Sequence, residues 1–249
     1  MKYITSIWTT ITLCILLLGI RNANAGMIAF TLMFPEADRF GGDEVFISWV
    51  KDNGIILAQD ASSRGRSDTA PYVGTATLGA GDAYDFVPKY KGLVTNIKAL
   101  EEVAWGVGLI NAGVEVDNIT RRIPLLSQIN GQLYPAMPLE IIRVIQDKPS
   151  YSLKADLDGI KDVMIPPYEP IKTDYNSSIW LNTNYTHVEY EYGKDVLPNL
   201  QGRTVVVGLS ASGLGVQIPT PQGLFYAHEL QASALQTVMD GTSISRPQW

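Results

Sequence analysis

The sequence predicts an α/β protein: a mainly parallel central sheet flanked by helices, with an antiparallel hairpin or meander extension. Three observations carry that expectation. Gly26 to Phe34 (GMIAFTLMF) and Arg203 to Gly208 (RTVVVG) are short, nearly unbroken apolar runs, the composition of strands buried on both faces. Residues 26–58 read strand, loop, helix, strand, the βαβ pattern that makes neighbouring strands parallel. Asp117-Asn118 and Asn130-Gly131 interrupt later strand-like stretches with residue pairs that tolerate positive φ, the chemistry of hairpin turns.

Taken in order, Gly26 to Phe34 is expected to be a central strand ending at Pro35. Pro35 to Asp43 is turn-rich, and Glu44 to Lys51 spaces Phe46, Trp49 and Val50 for a short helix that Asp43 can cap. Asn53-Gly54 stops that helix, and Ile55 to Ala58 begins the next strand. Residues 60–92 show no sustained period and read as a long surface excursion or lid. A short helix is expected within Leu93 to Ala104, then a strand over Trp105 to Ile110. Val114 to Val116 and Ile119 to Ile129 flank Asp117-Asn118 as a hairpin, and a second hairpin at Asn130-Gly131 makes a meander. Ala136 to Ile145 places Met137, Ile141, Val144 and Ile145 on one helical face, with Pro138 near its start. Residues 147–200 are irregular, with strand candidates at Val163 to Ile165, Ile179 to Leu181 and Val188 to Tyr192. Gly223 to Val238 carries a helical stripe that ends before Gly241.

The chain has 249 residues, 46% of them apolar, enough for one compact domain to bury a substantial core. Its 19 basic and 25 acidic side chains give a net charge of −6, and basic residues are nowhere clustered, so a nucleic-acid partner is not expected. The single cysteine, Cys14, rules out an intramolecular disulfide, and the two histidines, His187 and His228, lie too far apart in sequence to suggest a zinc motif. No metal or cofactor is expected.

Residues 1–25 admit two readings. Lys2, the apolar run Ile11 to Ile20 and the small residues of Ala23-Asn24-Ala25 have the outline of a secretory signal peptide. Ten apolar residues are too few to cross about 30 Å of hydrocarbon as a helix, which takes around 20. Alternatively, residues 7–22 form the first buried helix of the fold, stopped by Asn22 to Gly26. In either case residues 26–249 are expected to form a single domain.

The strongest catalytic lookalike is Val205 to Gly215 (VVVGLSASGLG), where a strand runs into Gly208-Leu209-Ser210-Ala211-Ser212. A nucleophile elbow needs G-x-S-x-G, and Ser212 stands where the second glycine belongs. His228 follows Ser210 as in an α/β-hydrolase, but the nearby acid, Asp240, comes after the histidine. A secreted serine hydrolase using Ser210 and His228 is the alternative functional reading; a sharply turning glycine-rich loop explains the same residues without chemistry. Gly213 and Gly215 are only a fragment of a dinucleotide-binding fingerprint. Asp156-Leu157-Asp158-Gly159 has its glycine too early for a calcium loop and reads as a solvated turn.

Several stretches in order resemble the second type of CHASE domain (cyclases/histidine kinases associated sensory extracellular). They are AGMIAFTLMFPEADRFGGDEVF at 25–46, DNITRRIPLL at 117–126, GQLYPAMPLEIIR at 131–143, GRTVVVGLSASGLG at 202–215, Thr220-Pro221, AHELQASALQTVMDG at 227–241 and Arg246-Pro247. The resemblance implies an extracytoplasmic α/β sensor, followed in relatives by transmembrane helices and a cyclase or kinase. Thr31 stands where the family usually shows Asp, and residues 1–25 take the place of the usual transmembrane helix and extra strand. The chain is therefore expected to be a fragment or a stand-alone module.

The expected role is that of a non-catalytic ligand-input domain on the periplasmic face of a bacterial inner membrane, membrane-anchored in its full-length setting. It would regulate an adenylate or guanylate cyclase, a histidine kinase or a Ser/Thr kinase. Its expected partners are an unidentified small-molecule or protein ligand, a membrane-embedded signalling partner or C-terminal effector, and a second copy in a homodimer. Because ligands of open α/β sheets bind beyond the carboxyl ends of parallel strands, the candidate ligand contacts are Asp38, Arg39 and Asp43 after the first strand. Ser210 and Ser212 after the late strand join them, with Arg121 and Arg122 as anion contacts.

Overall fold

The structure is a computed structural model that describes residues 16–39, 41–64, 75–79, 81–185, 188–191, 194–211 and 215–243. A helix over 16–22 (α1) leads into β1 (Met27–Phe30), α2 (Asp43–Asp52) and β2 (Ile55–Ser62). Then come β3 (Thr75–Leu78), α3 (Ala83–Phe86), β4 (Lys89–Tyr90), β5 (Gly92–Val94), α4 (Lys98–Glu101) and β6 (Gly106–Leu109). Two hairpins follow, β7 (Gly113–Val114) with β8 (Thr120–Pro124) and β9 (Leu126–Ile129) with β10 (Gln132–Pro135), ahead of α5 (Met137–Ile145). The remainder is β11 (Tyr151–Asp156), β12 (Gly159–Met164), β13 (Ile171–Lys172), β14 (Ser178–Trp180), β15 (Thr204–Val207), β16 (Gln217–Thr220), β17 (Gly223–Tyr226) and α6 (Ala227–Met239).

The fold is mixed α/β, but the strands do not form one mainly parallel sheet with a single extension. The described residues divide into five sheets. The largest has order β15-β1-β2-β5 with β6 also on β2; β1 is parallel to β15 and β2, β6 is parallel to β2, and β5 is antiparallel. Strands β3, β11, β12 and β13 form a mixed sheet, and the two expected meander hairpins separate into β14-β8-β7 and β10-β9-β4. The physical reason lies at Leu125, fully buried between β8 and β9, where the chain leaves one sheet for the other.

Local signals place most elements. The two-residue turn at Asn130 (φ 51°) and Gly131 (φ 78°) has the positive φ values that its residues favour. The earlier turn is longer than a two-residue link, spanning 115–119 with Asn118 at φ 61°, because the register shifts between Gly113 and Val114. The expected excursion at 60–92 is largely ordered: β2 continues to Ser62, and β3, β4 and β5 each join a sheet, while 65–74 and Ala80 lie outside the described residues. Leu93 belongs to β5 and the expected helix shrinks to α4. Gly223 to Tyr226 is a strand paired with β16, so the last helix begins at Ala227. Positions 188–191 are not strand; His187 and Tyr192 are not among the described residues.

The large sheet is covered on both faces. Met27, Ala29, Ile56 and Ala58 pack on one side against Met137, Ile141 and Ile142 of α5 and Leu230 and Ala234 of α6. Ile28, Phe30, Ile55 and Leu57 pack on the other against Leu17 and Ile20 of α1, Phe46 and Val50 of α2 and Leu100 of α4. The described part of the N-terminal apolar run is thus a core helix: Leu17 is 0% exposed, Leu200 N donates to Ala23 O, and Ala25 bridges to Gln201.

Candidate functional site

Strands β1 and β15 are neighbours in register, with Phe30 opposite Val207, and Thr31 continues the ladder by donating its N–H and its hydroxyl to Val207 O (2.9 and 3.0 Å). The chain then leaves β1 for α2 on one face of the sheet and leaves β15 towards α6 on the other. The carboxyl ends of adjacent parallel strands that diverge to opposite faces are where open α/β sheets bind ligands, in a crevice between the two following loops.

One wall is the loop 31–42. Asp38 accepts a hydrogen bond from Gly42 N at 3.1 Å, and Asp43 accepts one from Asp38 N at 2.9 Å. Both carboxylates therefore hold the loop's own backbone. Gly42, not Asp43, is the N-cap of α2; Asp43 is the helix's first residue, its carboxylate turned back to the loop. Arg39 is exposed. Asn96, which sequence reasoning missed, fastens this wall: it accepts from Phe34 N and donates to Ala58 O, both at 2.9 Å, while its own N–H donates to Glu101. A lone asparagine before a short helix carries no local sign of such a long-range role.

The opposite wall begins at Gly208, Leu209 and Ser210. Ser210 is exposed, and Ser212 lies outside the described residues. Behind this loop stands His228, the second residue of α6. A Cβ on Gly208 would lie 2.3 Å from His228 Nδ1, and one on Gly215 would lie 2.8 Å from the Tyr226 ring, so both glycines are required by close approach. The Tyr226 and His228 rings stack at 5.6 Å and 8°. His228 Nδ1 is buried and has no hydrogen-bond partner among the described residues. Burial lowers the His228 pKa from its usual 6.5, against a smaller opposite pull from Glu229. Glu229 accepts from Tyr226 N at 2.5 Å and shares a hydrogen bond with Glu189; desolvation, that hydrogen bond and the neighbouring charge raise Glu189 above 4.5.

The two arginines are engaged by carboxylates. Arg121 forms two hydrogen bonds to Asp117 (3.0 and 2.7 Å), holding that carboxyl down to about 2. Arg122 binds Glu115 and Asp174 and lies 5.1 Å over the Trp180 ring. These guanidiniums join the strands and loops of the β14-β8-β7 sheet, whose β8 packs against β16.

The arrangement that a nucleophile elbow needs is not built. Hairpin β16–β17 intervenes between β15 and α6, so Ser210 is not at a strand-to-helix turn. Asp240 caps the far end of α6, twelve residues beyond His228, about 18 Å at 1.5 Å per residue. Among the described residues there is no group of His, Cys, Asp and Glu suited to a metal ion, and no helix long and apolar enough to cross a membrane.

The described residues thus form an α/β module in which two adjacent parallel strands diverge to opposite faces, with Asp38 and Asp43 bonded to the backbone of the loop after β1. The CHASE2 domain family model matches residues 5–249, and the chain belongs to that family of extracellular sensory domains. The match takes in α1, the helix packed in the core. No curated protein and no solved structure matches the chain.

Proposed function

We propose that this chain is the non-catalytic input domain of a bacterial membrane signalling protein, facing the periplasm and held at the inner membrane in its full-length setting. It regulates a cyclase or kinase effector. The observation that supports this reading best is the divergence of β1 and β15 to opposite faces, within a chain whose family is sensory. A ligand seated between loops 31–42 and 208–211 touches both walls and favours whichever spacing of α2 and α6 it fits. It shifts the output only by its difference in affinity for the two spacings. In this reading Arg39 and Ser210 meet the ligand, Asp38 and Asp43 shape the wall, and residues 16–25 stay in the mature domain as its first helix.

The test is a thermal-shift screen of small anions, sugars and amino acids on the purified chain, repeated on Ser210→Trp. A compound that raises Tm in the parent and not in the variant supports the crevice. Compounds whose shifts persist in both Ser210→Trp and Arg39→Ala place the ligand elsewhere.

A further inference from the structure

Where the ends of β15 and β17 meet the start of α6, two titratable side chains of α6 stand next to each other, His228 and Glu229. His228 is pressed against Gly208 at the end of β15 and stacked on Tyr226 at the end of β17. Glu229, next along α6, shares a hydrogen bond with Glu189 of the segment 188–191. The other elements packed on α6 add no charge at this point. Thr204 to Val207 and Gln217 to Thr220 contain no titratable residue, and the Glu140 and Arg143 side chains of α5 are bound to each other at 2.6 Å.

A neutral imidazole suits this position; an imidazolium does not. Nδ1 is shut off from solvent with no acceptor in reach among the described residues, and a charged N–H left so is costly. The ring stands over Gly208 in the space that a Cβ there would fill. Charging His228 therefore means that the ring leaves Gly208 for water, or that the 208–211 loop lifts to admit water. The Glu189–Glu229 pair works in the opposite sense: its shared hydrogen bond needs a proton, and with both groups ionised two negative charges face each other.

We infer that His228 and the Glu189–Glu229 pair form a proton-operated toggle: acid releases the β15 loop from the start of α6 and clasps segment 188–191 to it, and neutral pH reverses both. The inference rests on the sensory reading for its biological meaning, with the proton as the first ligand of the crevice. Burial holds His228 below its ordinary 6.5, and desolvation with the Glu229 contact holds Glu189 above its ordinary 4.5. For His228, whose folded value is depressed, the closed packing is favoured at neutral pH and lost as pH falls through that value. For Glu189, whose value is raised, the clasp is present in acid and lost as pH rises through it.

The experiment is a pH titration of the full chain, labelled with nitrogen-15, from pH 7.5 to 4 by NMR, reading the imidazole nitrogens and the backbone amides. His187→Gln leaves one histidine signal. The expected result is a His228 midpoint below 6.5, shared by the Gly208 and Leu209 amides, and loss of that amide response in His228→Phe. Glu189→Gln is expected to flatten the response at Glu229 while leaving Gly208 responsive. Amides at 208 and 209 that stay still while His228 titrates, or that move equally in His228→Phe, overturn the toggle. If His228→Phe does not fold, the parent decides: a shared midpoint of ring and amides supports the toggle, separate midpoints overturn it. A fusion to a membrane-bound cyclase separates the two claims. Output indifferent to pH and ligands with moving amides refutes the sensory reading alone; still amides refute the toggle alone.

Discussion

Gly208 and His228, twenty residues apart in sequence, are in such close contact that a Cβ on the glycine would stand 2.3 Å from the imidazole Nδ1 and 2.5 Å from the histidine Cβ. The end of β15 and the start of α6 thus meet through the His228 side chain alone, with none on the Gly208 side, and what disturbs one disturbs the other.

Gly208→Ala is accordingly expected to cost about 1–3 kcal/mol through overpacking, read from urea unfolding. The double variant with His228→Ala should recover little, because the residual Cβ at 228 still lies 2.5 Å from the added methyl. Full recovery would show that the ring alone makes the contact.

A similar close approach seats α5. A Cβ on Gly108 would lie 2.4 Å from the Cα of Met137, backbone that cannot rotate away. Gly108→Ala should therefore destabilise by about 2 kcal/mol or more. Gly131→Ala, at a turn with open space around it, should cost only about 1 kcal/mol for its positive φ. Equal unfolding midpoints for the two variants would refute the ordering.

Leu17 lies wholly inside the core beside Ile28 and Phe46. Leu17→Ala should cost about 2–5 kcal/mol, and the mature protein should retain residues 16–25. N-terminal sequencing of exported material checks this; a mature chain beginning at Gly26 would contradict it.

Asp60 supplies a pH test away from the crevice. Burial raises its pKa, partly offset by the hydrogen bond from Asn111 at 2.6 Å. A raised folded value contributes stability below the unfolded pKa that is lost as pH rises through the folded one. Asp60→Asn keeps an acceptor for Asn111 and cannot ionise, so it should unfold at higher urea than the parent at pH 7 and at similar urea at pH 4. A variant less stable than the parent at pH 7 would show that the ionised form is the favoured one.

Much of the site was legible because its signals are local. Residues 26–34 contain β1, 203–208 contain β15, and the strand-end position of Asp38 and Ser210 follows from those two runs. The family follows from the ordered motifs, which a chain reader meets one at a time. The roles of Asp38 and Asp43 were harder: carboxylates that accept from loop backbone four and five residues away look, in sequence, like any acidic loop.

By itself the chain determined where strands and helices tend to form, that no disulfide or zinc motif staples them, and which family it joins. Apolar period, turn chemistry and motif order act over a few residues at a time. Only the tertiary structure decided which strands pair, that the hairpins part at Leu125, that Arg121 and Arg122 are held by carboxylates, and that His228 faces Gly208. Those outcomes depend on contacts between distant residues, set by the packing of whole faces and by the absence of a Cβ where two backbones must meet.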